Sequence, residues 1–404
     1  MGEKVISVTL VGPGDAQFLL DMLKSVDWCA WHYLVPWNIS EQKVRETVSG
    51  DDFPDNIVLL DEIQASGFGE ARTKAMAAAK VALFAQSVGS WFCRRDDLLH
   101  YRHLDVTTFG AFLMIDCDER WLGGPPIWPC GAHDVVSVIC GDGTRLYAGM
   151  PRLFGEGVTP SWEGETHEWY TGPRSEIGLS DRYEIVEIPK TPYRMARKLA
   201  RDLPILQRMC AKDPLNVRHR FYVGETFRGL AALARSPEAA LVLGEDAPDA
   251  KVLAEQAVMY YLSCARLVQT AKSVSDWDRE QAGFACYHAA VTAEEAGFPT
   301  AAILAADAEG MLACPWMVEL PWHAAWTSFQ ARDHRNAVIW ARIAEAVSTL
   351  EDAPVRRGFV EEIAGGRGPR EIEGFARLAM GDERGRDILS ELGIVPIDTD
   401  GNSL

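Results

Sequence analysis

Long apolar runs are missing from this 404-residue sequence. None approaches the roughly 18 residues that a membrane-spanning helix needs, so no membrane partner is expected. Paired cysteines are missing too. The nine cysteines are an odd number, scattered without a Cys-x-x-Cys pair. That argues against a disulfide framework or a zinc site and fits reduced thiols in a cytoplasm. Basic residues are in short supply: 40 Lys and Arg stand against 58 Asp and Glu, a formal net charge of −18. So acidic a surface exerts no general pull on phosphate backbones or anionic lipid and leaves only a local basic groove for such partners. The first residues carry a short apolar run before Gly12 and Asp15, and read as a buried strand rather than a signal peptide.

What is present is the composition of a folded protein, 48% hydrophobic and 24% charged. A chain of this length exceeds one ordinary core, so two domains are expected. Up to about Pro189 the apolar runs are short and punctuated. Strands are predicted at 5–11, 33–35, 57–60, 112–115, 135–139, 146–148 and 183–188, with helices at 16–25 and 70–86. Strands alternating with helices predict a sheet covered by helices. From about Thr191 strand signals stop and amphipathic helices follow one another: 194–209, 217–234, 250–271, 276–296, 299–312, 320–331, 335–349 and 372–379. Two stretches faintly echo the tetratricopeptide pattern, one through Val223, Gly224, Phe227, Ala257, Tyr261 and Cys264, the other through Ala324, Thr327, Ala337, Ala341 and Ala344. The first is interrupted by 236–249, which reads as a loop. The expected organisation is an α/β domain over 1–192, an all-α helical-repeat domain over 193–395 and a frayed tail over 396–404.

The chemistry-bearing run is Phe112-Leu113-Met114-Ile115-Asp116-Cys117-Asp118-Glu119. A strand leads into two carboxylates one residue apart, at the sheet edge where α/β proteins bind ligands. Carboxylate oxygens suit Mg²⁺ or Mn²⁺, which are often held by one or two acids plus substrate phosphates. An acidic turn after an edge strand is the plain alternative. Likewise Arg72 is either a surface residue on an Ala-rich helix or a phosphate ligand, and Trp128, Trp162 and Trp169 are either core or sugar-stacking platforms.

Together with Ser66-Gly67-Phe68-Gly69-Glu70-Ala71-Arg72-Thr73-Lys74-Ala75-Met76, this run resembles the paired signature of family-2-like GT-A glycosyltransferases. In that family a "Phe…Ala-Arg-Asn-x-Ala" helix start precedes a strand ending "Asp-x-Asp-Glu". Pro151-Arg152-Leu153-Phe154 and Gly164-Glu165-Thr166-His167-Glu168 resemble a later segment of the family. Asp213-Pro214-Leu215-Asn216, Cys314-Pro315, Glu319 and 337–344 resemble the tetratricopeptide-like tail of many bacterial members.

The resemblance implies a Rossmann-like GT-A nucleotide-diphospho-sugar transferase domain and an inverting, metal-dependent sugar transfer. It places Arg72, Asp116 and Arg152 on the nucleotide-sugar donor, Asp118 and His167 on the Mn²⁺ or Mg²⁺, and Glu168 as the base that deprotonates the acceptor. His167 has a structural alternative, and Arg152 one as an ion-pair partner. A peptide, a polysaccharide and a modified nucleobase in DNA all remain open as acceptor. The helical domain is expected to bind the acceptor or a second copy of the chain, giving a homodimer. The sequence departs from the family pattern in several places. The second strand runs into Pro36-Trp37-Asn38-Ile39-Ser40-Glu41 instead of an Asp-x-Gly-Ser-x-Asp loop, which leaves Glu41 or Asp15 to substitute. Thr73 stands for the Asn, and Ile188-Pro189-Lys190 stands where a His is usual. An insert at 81–110 carries Trp91, Arg94, Arg95, His100, Tyr101, Arg102 and His103, either an acceptor-binding lid or a surface excursion. Two rivals stay open: a catalytically inactive binding or scaffold protein, and a nucleotidyltransferase. The second lacks its basic Gly-rich loop, because 11–15 holds no Lys or Arg.

Overall fold

The structure is a computed structural model that describes residues 4–49, 52–54, 56–87, 109–125, 134–141, 146–172, 177–178, 184–234, 236–244, 248–350, 364 and 366–395. Most of the 81–110 insert, Trp128 and the 396–404 tail therefore lie outside the described residues. The chain divides into two compact units, Met1–Pro189 and Lys190–Leu404. Among the described residues, no helix is long and apolar enough to cross a membrane.

The first unit is an α/β sheet structure. Its strands are β1 (Lys4–Val11), β2 (Trp31–Pro36), β3 (Ile57–Leu59), β4 (Phe109–Met114), β5 (Glu119–Leu122), β6 (Val135–Gly141), β7 (Leu146–Gly155), β8 (Trp162–Glu163), β9 (Trp169–Tyr170), β10 (Ile177–Gly178) and β11 (Glu184–Glu187). Its helices are α1 (Ala16–Ser25), α2 (Glu41–Val48) and α3 (Phe68–Ser87). The main sheet runs β3-β2-β1-β4-β7-β6-β11-β5, with β10 beside β6, while β8 and β9 form a separate hairpin. β3, β2, β1 and β4 are mutually parallel; β7 runs against both β4 and β6.

β1 shows why this sheet needs two covers. Val5 and Val11 enter a core with Leu19, Met22 and Leu23 of α1, while Ile6, Val8 and Leu10 enter another with Ala71, Ala75 and Met76 of α3. The strand is buried on both faces, apolar throughout on the α3 side and interrupted by buried Ser7 and Thr9 on the α1 side. Each apolar side chain contributes about 1.5–3 kcal/mol by leaving water.

The second unit is all helix in its described residues: α4 (Pro192–Lys212), α5 (Val217–Leu233), α6 (Pro237–Leu243), α7 (Ala250–Thr270), α8 (Asp276–Glu295), α9 (Thr300–Ala313), α10 (Glu319–Gln330), α11 (His334–Ser348), α12 (Gly368–Ala379) and α13 (Arg384–Glu391). α6 lies inside the segment read as a loop. Side-chain caps set several starts: Asn216 accepts from the His219 amide, Ser275 from Asp278 and Asp333 from Asn336. From α7 onward each helix packs on the next. α5, α8, α10 and α12 also touch in series, as do α7 and α9, giving two layers. Close approach uses small residues. A Cβ on Gly224 of α5 would lie 2.6 Å from the Tyr261 ring of α7, so only glycine fits that crossing. That steric limit accounts for one position of the tetratricopeptide echo.

Candidate functional site

β1 stands between β2 and β4, and the chain leaves it for β2 on one side and reaches β4 on the other. Such a reversal opens a crevice beyond the carboxyl ends of the strands. Two loops end there. After β1, Gly14 turns with φ 90° and the Gly12 amide donates to Asp15 Oδ2 at 2.8 Å. After β4, the Ile115 amide still donates to Val8 O, and the Cys117 thiol donates to Leu10 O at 3.2 Å. The acidic turn is thereby pinned to the central strand.

Within that turn, Asp116 and Asp118 are half-buried and Glu119 is buried. Glu119 Oε2 accepts from the Asp116 amide at 2.8 Å, and its Oε1 accepts from Arg152 Nη2 of β7 at 2.5 Å. Glu119 has no role in the resemblance beyond ending the motif. It opens β5, which carries no apolar run and was not expected from sequence. Across the sheet edge, the Ile188 amide donates to Asp118 O at 2.7 Å. The segment occupying the place of the usual His therefore borders the acidic turn through its backbone.

Arg72, in the second turn of α3, joins two of the predicted site residues. Its Nη2 lies 2.5 Å from Asp116 Oδ2 and its Nε 2.9 Å from Glu168 Oε1. Burial opposes charge on Arg72, but Asp116 and Glu168 outweigh it and hold the guanidinium above its usual pKa. Arg152 behaves likewise: burial opposes its charge, and Glu119 beside it pushes its pKa up. Both side chains are held as cations in nearly closed surroundings.

The start of α3 explains how Glu168 reaches Arg72. The Phe68 and Gly69 amides donate to Glu165 O and Gly164 O, each at 3.1 Å. A Cβ on Gly67 would sit 2.4 Å from Glu165 Cα, and one on Gly69 2.8 Å from Gly164 O. Two glycines thus let the helix start touch the turn that carries His167 and Glu168. His167 itself has φ 48°, a left-handed backbone uncommon outside glycine. Thr73 has a task of its own. Its hydroxyl donates to Gly69 O at 3.0 Å and accepts from the Trp162 amide at 3.1 Å, tying α3 to β8.

The other sequence candidates separate. Trp162 is core, edge-on to Phe154 and Tyr170, whereas Trp169 is half-buried. Glu41 pairs with Arg45 on its own helix, and Asp15 caps its own loop.

A divalent cation can be tested against these residues. Among the described residues no group of three or more His, Cys, Asp and Glu gathers to hold a metal. Asp116, Asp118, His167 and Glu168 do not form a complete protein cage. The donor chemistry still fits an ion completed by substrate phosphates, since Mg²⁺ is commonly held by one or two carboxylates. Arg72 pairs with Asp116 and Glu168 and Arg152 with Glu119, so three carboxylates stand against two guanidiniums. A diphosphate entering such a site needs a cation beside it.

No protein-family model matches the chain, and no curated protein matches it. Among solved structures, the crystal structure of BtubC (BKLC) from P. vanneervenii aligns with a TM-score of 0.25 and 12% identity, covering 54% of this chain and 98% of that one. So slight a likeness carries no argument about fold or chemistry.

Proposed function

We propose that the first unit is a GT-A-type, metal-dependent glycosyltransferase that moves a sugar with inversion from a nucleotide-diphosphate donor to a macromolecular acceptor. The observation that carries the reading is Arg72, buried at the strand-end crevice between Asp116 and Glu168. A guanidinium in that place is a bidentate donor for phosphate oxygens, and the carboxylates beside it hold it ready. The four-motif resemblance and the parallel order β3-β2-β1-β4 support the same reading.

In this reading Arg72 and Arg152 bind and orient the diphosphate, and Asp116 meets the ribose side. Asp118 and His167 hold Mn²⁺ or Mg²⁺, which when bound neutralises charge on the leaving diphosphate. Glu168, released from Arg72 as the diphosphate takes that guanidinium, accepts the proton of the acceptor hydroxyl. The hydroxyl oxygen bonds to the anomeric carbon from the face opposite the diphosphate, and the bond from that carbon to the phosphate oxygen breaks. The nucleoside diphosphate leaves, and the proton rests on Glu168. The helical unit takes the acceptor or a second copy of the chain, and the free described cysteines agree with a cytoplasmic setting.

Calorimetry with uridine, guanosine and thymidine diphosphates, each with and without Mn²⁺, tests the reading, followed by a screen for nucleoside diphosphate release from nucleotide sugars. Binding by one of them that requires Mn²⁺ is expected. If none binds, the second reading stands: a scaffold without catalysis. What favours it is the sequence after the second strand, Pro36-Trp37-Asn38-Ile39-Ser40-Glu41, which lacks the acid and glycine of the resembled donor loop.

A further inference from the structure

The second unit carries a cavity of about 510 Å³ between α10 and α12. That is the size of a small-ligand pocket. Trp322, Trp326 and Phe329 recur at i, i+4 and i+7 and so share one face of α10. Glu371, Ile372 and Phe375 form the facing stripe on α12. Trp326 is 39% exposed, and its ring centroid lies 6.5 Å from that of Phe329 with the planes tilted by 31°. Large aromatics half-open to solvent at a concave site mark binding more than core.

The wall chemistry narrows the occupant. Among the described lining residues only Glu371 carries a charge, and the two indole N–H groups are their remaining polar side-chain atoms. A sugar ring would bring several hydroxyls, most of them left without partners on burial. A purely apolar side chain would desolvate Glu371 and return nothing to it. A long cationic side chain satisfies both demands. Its methylene stem packs on Ile372 and Phe375, while its charge lies over indole faces and beside Glu371. Guanidinium suits best, because it is planar and stacks on aromatic rings. The net charge of −18 draws such a partner in. Arg367 is a weak competitor: it stands 3.9 Å from Glu371, is 67% exposed, and forms the sort of surface pair that contributes little.

We propose that the α10–α12 cavity binds an arginine side chain of a partner peptide, held by the aromatic stripe and Glu371. The site lies wholly in the second unit and stands whether or not the first unit transfers sugar.

An NMR titration of the full chain with the blocked peptide Gly-Arg-Gly, and with its neutral citrulline counterpart, tests this without any nucleotide present. The arginine peptide is expected to saturate and to bind about tenfold more tightly than the citrulline peptide. Glu371→Gln should bring the two affinities together. Trp326→Ala, at an exposed position, should abolish binding with the circular dichroism spectrum and thermal transition unchanged. Equal affinity for both peptides would overturn the proposal. So would the absence of saturation at millimolar peptide, or arginine binding that survives Glu371→Gln.

Discussion

Glu119 and Arg152 form a buried ion pair at 2.5 Å, and the second oxygen of the same carboxylate holds the Asp116 amide. One side chain therefore sets both a cation and the backbone of the acidic turn. Removing a single partner strands the other charge. Arg152→Met should cost about 3–5 kcal/mol in urea unfolding, while Arg152→Met with Glu119→Gln should cost less than the two single losses added. A single-variant cost below about 1 kcal/mol would show that the pair is solvated.

The metal reading separates two neighbours. Asp118→Ala should remove Mn²⁺-dependent nucleoside diphosphate binding and turnover while leaving the thermal transition within a few degrees of wild type, because its side chain is only half-buried at the end of the acidic turn. Asp116→Ala should also destabilise, by about 1–3 kcal/mol, because it leaves buried Arg72 with Glu168 alone. Turnover by Asp118→Ala at the wild-type rate would remove the site from consideration.

Gly67 is a steric test of the clamp between α3 and the turn carrying Glu168. Gly67→Ala drives a Cβ into Glu165 backbone at 2.4 Å and should cost about 1–3 kcal/mol, measured by denaturant unfolding. Gly229→Ala serves as the control. It meets the end of the flexible Leu199 side chain at 2.8 Å and should be milder.

The Asp307–His323 pair should stabilise the second unit less as pH rises. Buried Asp307 has its pKa pushed up to about 6 from 3.8 by burial, only partly offset by its bond to His323. His323 Nδ1 lies 3.0 Å from Asp307 Oδ2, and its Nε2 faces Glu294 at 3.4 Å. Burial lowers the His323 pKa, but Asp307 and Glu294 outweigh it and raise it above 6.5. Both groups hold protons more tightly when folded. Their contribution is full below the unfolded values and is lost as pH climbs through the folded ones, from about 4 to beyond 6.5. Glu225 runs the other way. Burial would raise it, yet His288 and Tyr261 hold it at about 2, so its contribution disappears only toward that pH. Comparing urea unfolding of wild type and Asp307→Asn at pH 4, 6 and 8 isolates the effect. The variant should show a flatter decline, and parallel curves would refute the assignment.

Much of the architecture was legible in the chain. The runs at 5–11 and 33–35 fall in β1 and β2, 57–60 covers β3 and one residue more, and 16–25 matches α1. Other elements were silent for local reasons. α2 buries only Val44, so it shows no apolar stripe, although Ser40 caps it by accepting from the Lys43 amide. β7 was read only to 148, because Pro151 interrupts the pattern. The strand continues to Gly155, with Pro151 at a register shift beside Ser137. In the site, Asp116 and Asp118 stood out because they follow an apolar strand, whereas Glu119 carried no separate signal.

Periodicity and capping act over a few residues, so the order of side chains along the chain suffices to place strands and helices. Charge pairing acts through space. Arg72 meets Asp116 across 44 positions, and Arg152 meets Glu119 across 33. Nothing in either neighbourhood names the partner. Only sheet order, and glycines that let α3 press against the Gly164–Glu165 turn, brought those charges within reach of one another.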